Sequence, residues 1–181
     1  MKFIPTKIPE VIMIEPKLYI DQRGHFMETY QYNDFFTNGI KYRFVQDNYS
    51  YSKKGVLRGL HYQAHSVQGK LVQIISGTIF DVSVDLRRNS STLGKWVGIT
   101  LSDQNKKILW IPPGFCHGFY TLSDYADVLY KVTDYYSHED ERCIVWDDPT
   151  LNIDWPIIDN LPILLSLKDS LGMSFLDAEK L

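Results

Sequence analysis

The chain has 181 residues, which is enough for one domain with a substantial core and short for two. Hydrophobic residues make up 44% and charged residues 23%, the proportions of an ordinary soluble globular protein. The formal net charge of −3 argues against a broad basic face for nucleic acid. We therefore predict a single domain over residues 1–181 that binds no nucleic acid.

The N-terminal segment MKFIPTKIPEVIMIEPKLYI contains no long apolar run, because Pro5, Pro9, Glu10, Glu15 and Pro16 interrupt it. Neither a signal peptide nor a membrane-spanning helix fits this pattern. The two cysteines give no CxxC pair and no disulfide framework, which fits a reducing compartment. We expect a cytoplasmic protein with no membrane partner.

Short runs rich in Val, Ile, Tyr, Phe and Trp, separated by turn residues, fill residues 43–146. This pattern is typical of all-β proteins. Many short strands suggest a jelly roll or a similar barrel, whose mouth can hold a ligand. In chain order, the predicted strands are 43–52, 56–63, 70–77, 78–86, 95–102, 107–113, 118–123, 126–136 and 143–148.

Two segments have helical character. Residues 33–40 predict a short helix that begins at Asn33 and ends at Gly39, and residues 166–181 predict another that Gly172 shortens. The segments VIMIEP and KLYI, before residue 33, fit edge strands or strands that add to the sheet of a second subunit. We predict a homodimer on that ground.

The segment TIFDVSVDL (78–86) alternates between polar and apolar residues. One face of the predicted strand carries Asp81 and Asp85, and the other face is apolar. A wall of a sandwich or barrel has this pattern.

An arginine and a histidine occur three positions apart in GVLRGLHYQ (55–63), a segment that otherwise reads as a buried strand. Polar residues at the rim of a strand are the common structural explanation. The odd spacing places Arg58 and His61 on opposite faces unless a bulge at Gly59 re-aims one of them. Lys70 follows the turn AHSVQG and can return beside His61 on the next strand.

The stretch WIPPGFCHGF (110–119) forms a rigid turn at its Pro-Pro-Gly and then places His117 among apolar residues. PxGxxH is the second half-motif of cupin barrels, whose first half-motif supplies HxH and a glutamate to a metal. Here the first half-motif reads HYQ, and Lys70 stands about where the glutamate would be. A cation there repels a metal. We predict no metal site and disfavour a metal-dependent cupin dioxygenase.

Other polar residues occur in pairs on strand-like segments, and each pair alone fits an exposed rim. DQRGHFME (21–28) carries two charges around a Gly24 turn, and QDN (46–48) places two amides on one face by the period of two. These residues are Arg23, Glu28, Gln46, Asn48, Tyr130, Tyr136, Glu141, Lys168 and Asp169.

Together these segments resemble the dTDP-4-dehydrorhamnose 3,5-epimerase family over essentially the whole chain. The match is specific, because GVLRGLH and PPGFCHGF are long strings. The resemblance implies a cupin-type β-jelly roll with short flanking helices, usually a homodimer, that works without metal or other cofactor. The strings occur in one order: DQRGHFME, FVQDNYSYS, GVLRGLHYQ, QGKLV, FDVSVDLR, STLGKW, WIPPGFCHGF, LYKVTDYY, DWP and SLKD.

The resemblance implies a nucleotide-linked 4-keto-6-deoxyhexose as substrate. Its ketone acidifies the protons on C3 and C5, so removal of one gives an enolate, and reprotonation from the opposite face inverts the carbon. His61 is implied as the base. Asp169 would fix its tautomer, and Tyr130 would be the acid. Lys70 would stabilise negative charge on O4.

The resemblance also implies a substrate-binding set. Arg23 and Arg58 suit the pyrophosphate, because guanidinium groups match phosphate oxygens. Tyr136 matches the aromatic position that stacks on thymine. The full set implied is Arg23, Glu28, Gln46, Asn48, Arg58, His117, Tyr136, Glu141 and Lys168.

We favour inversion of both C3 and C5 of dTDP-4-keto-6-deoxy-D-glucose, as in dTDP-L-rhamnose biosynthesis, because Tyr130 lies in LYKVTD, the motif of the double epimerase. The alternatives are an enzyme that inverts only C3 or only C5, a ketoisomerase of the same sugar nucleotide, and a non-catalytic sugar-nucleotide binder. A binder would not need His61, Tyr130 and Asp169 together. Cys116 stands where the family commonly has a small residue such as alanine.

Overall fold

A computed structural model describes residues 1–181. Most of the ordered elements are strands, and the two helices are short, so the prediction of an all-β protein is confirmed. The elements are β1 (Lys2–Pro5), β2 (Ile12–Glu15), β3 (Leu18–Asp21), β4 (Gly24–Met27), α1 (Tyr32–Thr37), β5 (Gln46–Lys53), β6 (Leu57–Gln63), β7 (Lys70–Ser76), β8 (Thr78–Asp85), β9 (Trp96–Ser102), β10 (Ile108–Ile111), β11 (Phe115–Thr121), β12 (Tyr125–Val132), β13 (Glu141–Cys143) and α2 (Leu167–Ser170).

Eleven strands form two antiparallel sheets that pack face to face. The front sheet has the strand order β1-β2-β10-β7-β12-β5, and the back sheet has the order β13-β6-β11-β8-β9. Strands that are distant in the sequence are therefore neighbours, as in the predicted jelly roll. The remaining two strands, β3 and β4, form a separate hairpin.

The strands predicted between residues 56 and 102 begin and end within one residue of those observed. The larger differences follow from strand pairing. The prediction carried the strand at 126–136 too far, because β12 ends at Val132, opposite Gln46, where its partner β5 begins. In the other direction, β11 begins at Phe115 because that residue already pairs with Asp85 of β8.

Both faces of the back sheet are buried. Between the two sheets lies an apolar core that includes Val72, Ile79 and Phe119. On the other side, Val82 and Trp155 belong to a second core between the back sheet and the C-terminal segment. The apolar face of β8 therefore packs outward under that segment, and the face that carries carboxylates points into the space between the sheets.

Helix α1 covers the outer face of the front sheet through the buried Phe35. Its N-cap is Gln31 and not Asn33, since the Asp34 amide donates to Gln31 Oε1 at 2.7 Å. The predicted C-terminal helix is a single turn, α2. It ends at its C-cap Leu171, and the backbone at Gly172 then passes so close to β13 and its continuation that a Cβ there would lie 2.8 Å from the Val145 nitrogen. Neither helix has the length and apolar character that crossing a membrane requires.

The N-terminal segments separate into two parts. Strand β2 lies between β1 and β10, so VIMIEP belongs to the front sheet of its own chain, one strand in from the edge. The segment KLYI forms β3 of the hairpin, which leaves large apolar side chains in solvent. Ile20 is 76% exposed and Phe26 is 66% exposed.

Candidate active site

One cavity of about 250 Å³ is lined by residues of both sheets. Ten of the thirteen predicted site residues line it: Gln46, Asn48, Arg58, His61, Lys70, His117, Tyr130, Tyr136, Glu141 and Lys168. The structure thus brings together residues that are more than 100 positions apart in the sequence.

A β-bulge places both Arg58 and His61 at the cavity. Strand β11 pairs His117 with His61 and Phe119 with Arg58, so β6 contains one extra residue between the two pairs. Gly59 lies there with φ of +123°, and a Cβ at this position would approach the Gly118 Cα to 2.5 Å. Only glycine fits such a close approach. This is the bulge on which the sequence argument depended.

His61 is held by Asp169. Its Nε2 lies 2.5 Å from Asp169 Oδ1, and the carboxylate is buried. Burial alone would raise the pKa of Asp169, but the hydrogen bond and charge of His61 hold it below its usual value. Ser166 caps α2 by accepting from the Asp169 amide at 3.1 Å, which fixes the position of the carboxylate. The contact occupies Nε2 and leaves Nδ1 to accept a proton.

Lys70 faces the cavity from the opposite sheet. The expectation that it returns beside His61 on the neighbouring strand is wrong, because β7 pairs with β10 and β12 in the front sheet. Burial lowers the pKa of Lys70 to about 8, against opposing effects from Cys116, Asp81 and Glu141. The ammonium is therefore a poorly hydrated cation that a developing anion in the cavity can approach.

Tyr130 also belongs to the front sheet, between Asn48 of β5 and Val72 of β7. It lines the cavity, and burial raises the pKa of its hydroxyl above the usual value. The group therefore remains protonated at neutral pH. The structure places this proton donor on the sheet opposite His61.

A second histidine–carboxylate pair was missed by the sequence argument. His117 Nε2 lies 2.7 Å from Asp81 Oδ2, and both residues are buried. Burial raises the pKa of Asp81, while His117 and Lys70 act in the other direction. The alternation of TIFDVSVDL already placed Asp81 on a polar face. The missing information was that this face points into the protein.

Arg58 is oriented by β5. Its Nε donates to Ser52 Oγ at 3.0 Å, and its Nη2 donates to the Tyr51 carbonyl oxygen at 3.1 Å. Ser52 is buried and was also missed, although the period of two that groups Gln46 with Asn48 extends to it. These two amides are linked to each other, since Gln46 Nε2 donates to Asn48 Oδ1 at 2.8 Å.

Glu141 links two other predicted binding residues. It accepts hydrogen bonds from Tyr136 Oη at 3.0 Å and from Lys168 Nζ at 2.7 Å. Burial alone would raise the pKa of Glu141, but these donors hold it below its usual value. This rim of the cavity therefore presents an aromatic ring beside a positioned cation.

Two predicted binding residues lie away from the cavity of their own chain. Arg23 belongs to the turn between β3 and β4, pairs with Asp21 at 2.7 Å, and has a side chain that is 84% exposed. Glu28 follows β4 and is exposed. Nothing within the same chain connects either residue to His61.

A model of the dTDP-4-dehydrorhamnose 3,5-epimerase family matches residues 5–177.

The chain belongs to the dTDP-4-dehydrorhamnose 3,5-epimerase family.

Among its relatives, the dTDP-4-dehydrorhamnose 3,5-epimerase of Pseudomonas aeruginosa is 54% identical over 180 residues, which are 99% of this chain and 98% of that protein. The crystal structure of a dTDP-6-deoxy-D-glucose-3,5-epimerase from Legionella pneumophila, in complex with dTDP-4-keto-L-rhamnose, has a TM-score of 0.95 and 50% identity and covers 98% of this chain and 94% of that chain. A 3'-monoepimerase from Streptomyces bikiniensis, in complex with dTDP-quinovose, has a TM-score of 0.88 and 29% identity over 95% of this chain and 87% of that chain.

These comparisons confirm the predicted epimerase family and its cupin-type β fold. They also confirm the prediction of an isomerase of the dTDP-sugar epimerase type. The roles of individual residues stay predictions.

Proposed function

We propose that this protein inverts C3 and C5 of dTDP-4-keto-6-deoxy-D-glucose, giving dTDP-4-keto-L-rhamnose for dTDP-L-rhamnose biosynthesis, without metal or cofactor. One observation carries the proposal. A histidine paired with a buried carboxylate and a protonated tyrosine face the same cavity from opposite sheets.

The first step is removal of the proton from C5 or C3. His61 takes it on Nδ1, because Nε2 is engaged with Asp169. Asp169 keeps its negative charge beside the imidazolium that forms, which is how a carboxylate assists a histidine base. The electron pair of the broken C–H bond passes into the enolate and places negative charge on O4.

Lys70 stabilises that charge. A buried ammonium loses little energy to reorganisation of solvent when an anion forms beside it, so preorganised charge of this kind contributes strongly to catalysis. The lowered pKa of Lys70 also suits transient proton sharing with O4.

The second step is delivery of a proton from the other face of the enolate. Tyr130 donates its hydroxyl proton to the carbon, and the carbon is inverted because the donor lies on the sheet opposite His61. The tyrosinate then regains a proton from solvent, and His61 releases its proton to solvent. One cycle therefore exchanges one carbon-bound hydrogen with water.

The nucleotide binds along the rim of the cavity. Arg58, which Ser52 and the Tyr51 carbonyl hold in place, suits the pyrophosphate. Tyr136 suits the thymine ring and lies next to Glu141 and Lys168. Gln46, Asn48 and His117 supply further polar contacts inside the cavity.

We also propose a cytoplasmic homodimer in which the β3–β4 hairpin reaches the cavity of the second subunit. The hairpin exposes Ile20 and Phe26, and its charged residues Arg23 and Glu28 have no route to the cavity of their own chain. A symmetric dimer buries such a surface twice.

Mixed dimers test this arrangement. R23A and H61A homodimers should each be inactive. When the two are dissociated and reassociated together, half of the dimers are mixed, and each of these has one intact site. About a quarter of the wild-type activity should return. Activity that never returns, although mixed dimers form, would contradict the exchange of hairpins.

Inversion of a single carbon is the second candidate, because the 3'-monoepimerase has the same fold. The higher identity to the 3,5-epimerases favours two inversions. The deciding experiment incubates the protein with dTDP-4-keto-6-deoxy-D-glucose in D₂O and follows C3 and C5 by NMR. Deuterium at both carbons supports the double epimerase, and label at one carbon supports the single one. No label, together with tight dTDP binding, would make the protein a sugar-nucleotide binder.

A further inference from the structure

Three side chains of different chemistry meet behind the base. Cys143 of β13 lies directly opposite His61 of β6 in the antiparallel register, and Asp169 of α2 contacts both. One donor atom from each residue lies within 4.8 Å of the other two. The sulfur is 3.8 Å from Asp169 Oδ1. The catalytic pair proposed above uses only two members of this triad.

We propose that His61, Cys143 and Asp169 form an inhibitory binding site for a thiophilic divalent cation, with Zn²⁺ as the best match. The inhibition rests on the proposed function, whereas the binding does not. Imidazole, thiolate and carboxylate are the ligands that Zn²⁺ prefers, and three protein ligands with one open position are a common arrangement.

The distances suit this cation. Tetrahedral zinc with ordinary bond lengths separates its donor atoms by roughly 3.4–3.6 Å. The Cys143–Asp169 separation of 3.8 Å is already close to that value. The His61–Asp169 contact of 2.5 Å must open by about 1 Å to admit the ion. A water that enters with the ion would occupy the fourth position.

The charges also suit it. The carboxylate of Asp169 and the thiolate that Cys143 forms on losing its proton neutralise a divalent cation. Lys168, whose charge acts on both Cys143 and Asp169, is already paired with Glu141 at 2.7 Å. Lys70, which argues against a metal at the cupin position, belongs to the front sheet, while the triad lies on the back sheet and α2.

Binding there should stop proton transfer and leave nucleotide binding intact. A metal on Nε2 displaces the hydrogen bond to Asp169 and forces the ring proton onto Nδ1, so His61 can no longer accept the substrate proton. The rim residues Arg58 and Tyr136 take no part in the triad, so the affinity for dTDP should remain.

Co²⁺ titration tests the site without any assay of activity, because thiolate–cobalt coordination has its own charge-transfer absorption in the near ultraviolet. The wild type and C116S should both develop this band at one cobalt per chain, and Zn²⁺ should remove it. Cys116 is the matched control, since it is also a buried thiol and lies outside the triad.

C143S should lose the band and bind Zn²⁺ at least about 100-fold more weakly. Loss of a residue that only supports a metal ligand usually costs about 10- to 100-fold in affinity, so this larger effect indicates loss of a ligand itself. H61N removes a different ligand of the triad, at a partly exposed position, and should also weaken Zn²⁺ binding. A wild type without the band, or a C143S variant that keeps it, would overturn the proposal. Binding without the band means coordination at exposed histidines and would overturn it equally.

Exchange of deuterium into the substrate distinguishes a failure of the metal site from a failure of the proposed function. Stoichiometric Zn²⁺ should abolish exchange in the wild type and in C116S, while the affinity for dTDP changes by less than about twofold. A protein that shows the cobalt band but never catalyses exchange would refute the proposed function and leave the metal site standing. A protein that catalyses exchange but shows no cobalt band would refute the metal site and leave the proposed function standing.

Discussion

Asp169 Oδ1 lies 2.5 Å from His61 Nε2, although 108 residues separate them in the sequence. The histidine comes from the first half of the chain and the carboxylate from a single helical turn near its end. Their contact crosses from the back sheet to the segment that covers it.

His61→Ala should lower the rate of deuterium exchange at both C3 and C5 by about 10²–10⁴-fold, because the general base is lost. Proton NMR in D₂O measures both rates. The affinity for dTDP, measured by calorimetry, should stay within about threefold of the wild type, since the proposed role of His61 is at the sugar and not at the nucleotide. Exchange at the wild-type rate would remove His61 from the mechanism.

Asp169→Asn should reduce exchange by roughly the same range, up to about 10⁴-fold, because a neutral amide neither stabilises the imidazolium nor fixes the tautomer. The two residues act as one unit, so the double variant H61A/D169N should be no slower than H61A alone. Independent, multiplying losses would show that Asp169 acts on something other than His61.

Tyr130→Phe should impair inversion more than proton abstraction, because the enolate still forms but loses its donor on the opposite face. Deuterium should then enter the carbon with retained configuration. In the same NMR spectra, its incorporation should be faster than the formation of the epimer. Tyr136→Phe is the matched control, since it removes a hydroxyl that bonds to Glu141 and should alter the affinity for dTDP. Equal loss of exchange and inversion in Y130F would argue for a structural role.

The pH dependence should reveal Lys70. Its pKa of about 8 means that kcat/KM falls as the pH rises through that value, because the uncharged amine no longer stabilises O4. Lys70→Arg stays charged, so any activity that it retains should lose this alkaline limb. A wild-type profile flat to pH 10 would contradict the role.

Protonation of Lys70 should also affect the free energy of unfolding, and this quantity should change with pH in the direction opposite to kcat/KM. The pKa is about 8 in the folded protein and 10.5 when unperturbed, so the unfolded chain binds more protons between these values. The free energy of unfolding of the wild type, relative to Lys70→Met, should therefore rise between pH 8 and 10.5. Urea denaturation across this range measures the difference. No change would mean that the ammonium is better solvated than its burial indicates.

Ser52 should act through Arg58. Ser52→Ala should weaken dTDP binding by about 3–10-fold, the effect of one hydrogen bond, and Arg58→Ala by more. The double variant should bind no more weakly than R58A, because Ser52 has no other route to the ligand. Additive losses in this cycle would place Ser52 in contact with the nucleotide.

The sequence predicted the strands well where apolar runs are bounded by turns, as at 56–63 and 70–77. The sequence-based prediction failed where pairing between strands decides where a strand ends or which sheet it joins. β12 ends at Val132 because β5 goes no further, and no local pattern records that. Lys70 was expected beside His61, since a short turn usually joins neighbouring strands, but the jelly roll sends β7 to the opposite sheet.

Most of the candidate site residues were predicted from motifs. The residues that were missed also have a physical explanation. Asp81 and Ser52 lie on faces that the period of two identifies, yet period alone does not say which face points inward. On β8 the covering C-terminal segment reverses the usual arrangement, so the apolar residues face away from the cavity. Arg23 and Glu28 lie away from the cavity of their own chain, so neither the period of two nor strand pairing within one chain assigns them a role.

The C-terminal segment has a consequence for synthesis. Every strand that builds the cavity has left the ribosome before residue 166 emerges, yet the carboxylate that orients the base lies at 169. A chain that ends before α2 would therefore lack both the carboxylate that holds the imidazole and Lys168 at the rim of the cavity. The support of the proposed base therefore depends on one of the last elements of the fold to be synthesised.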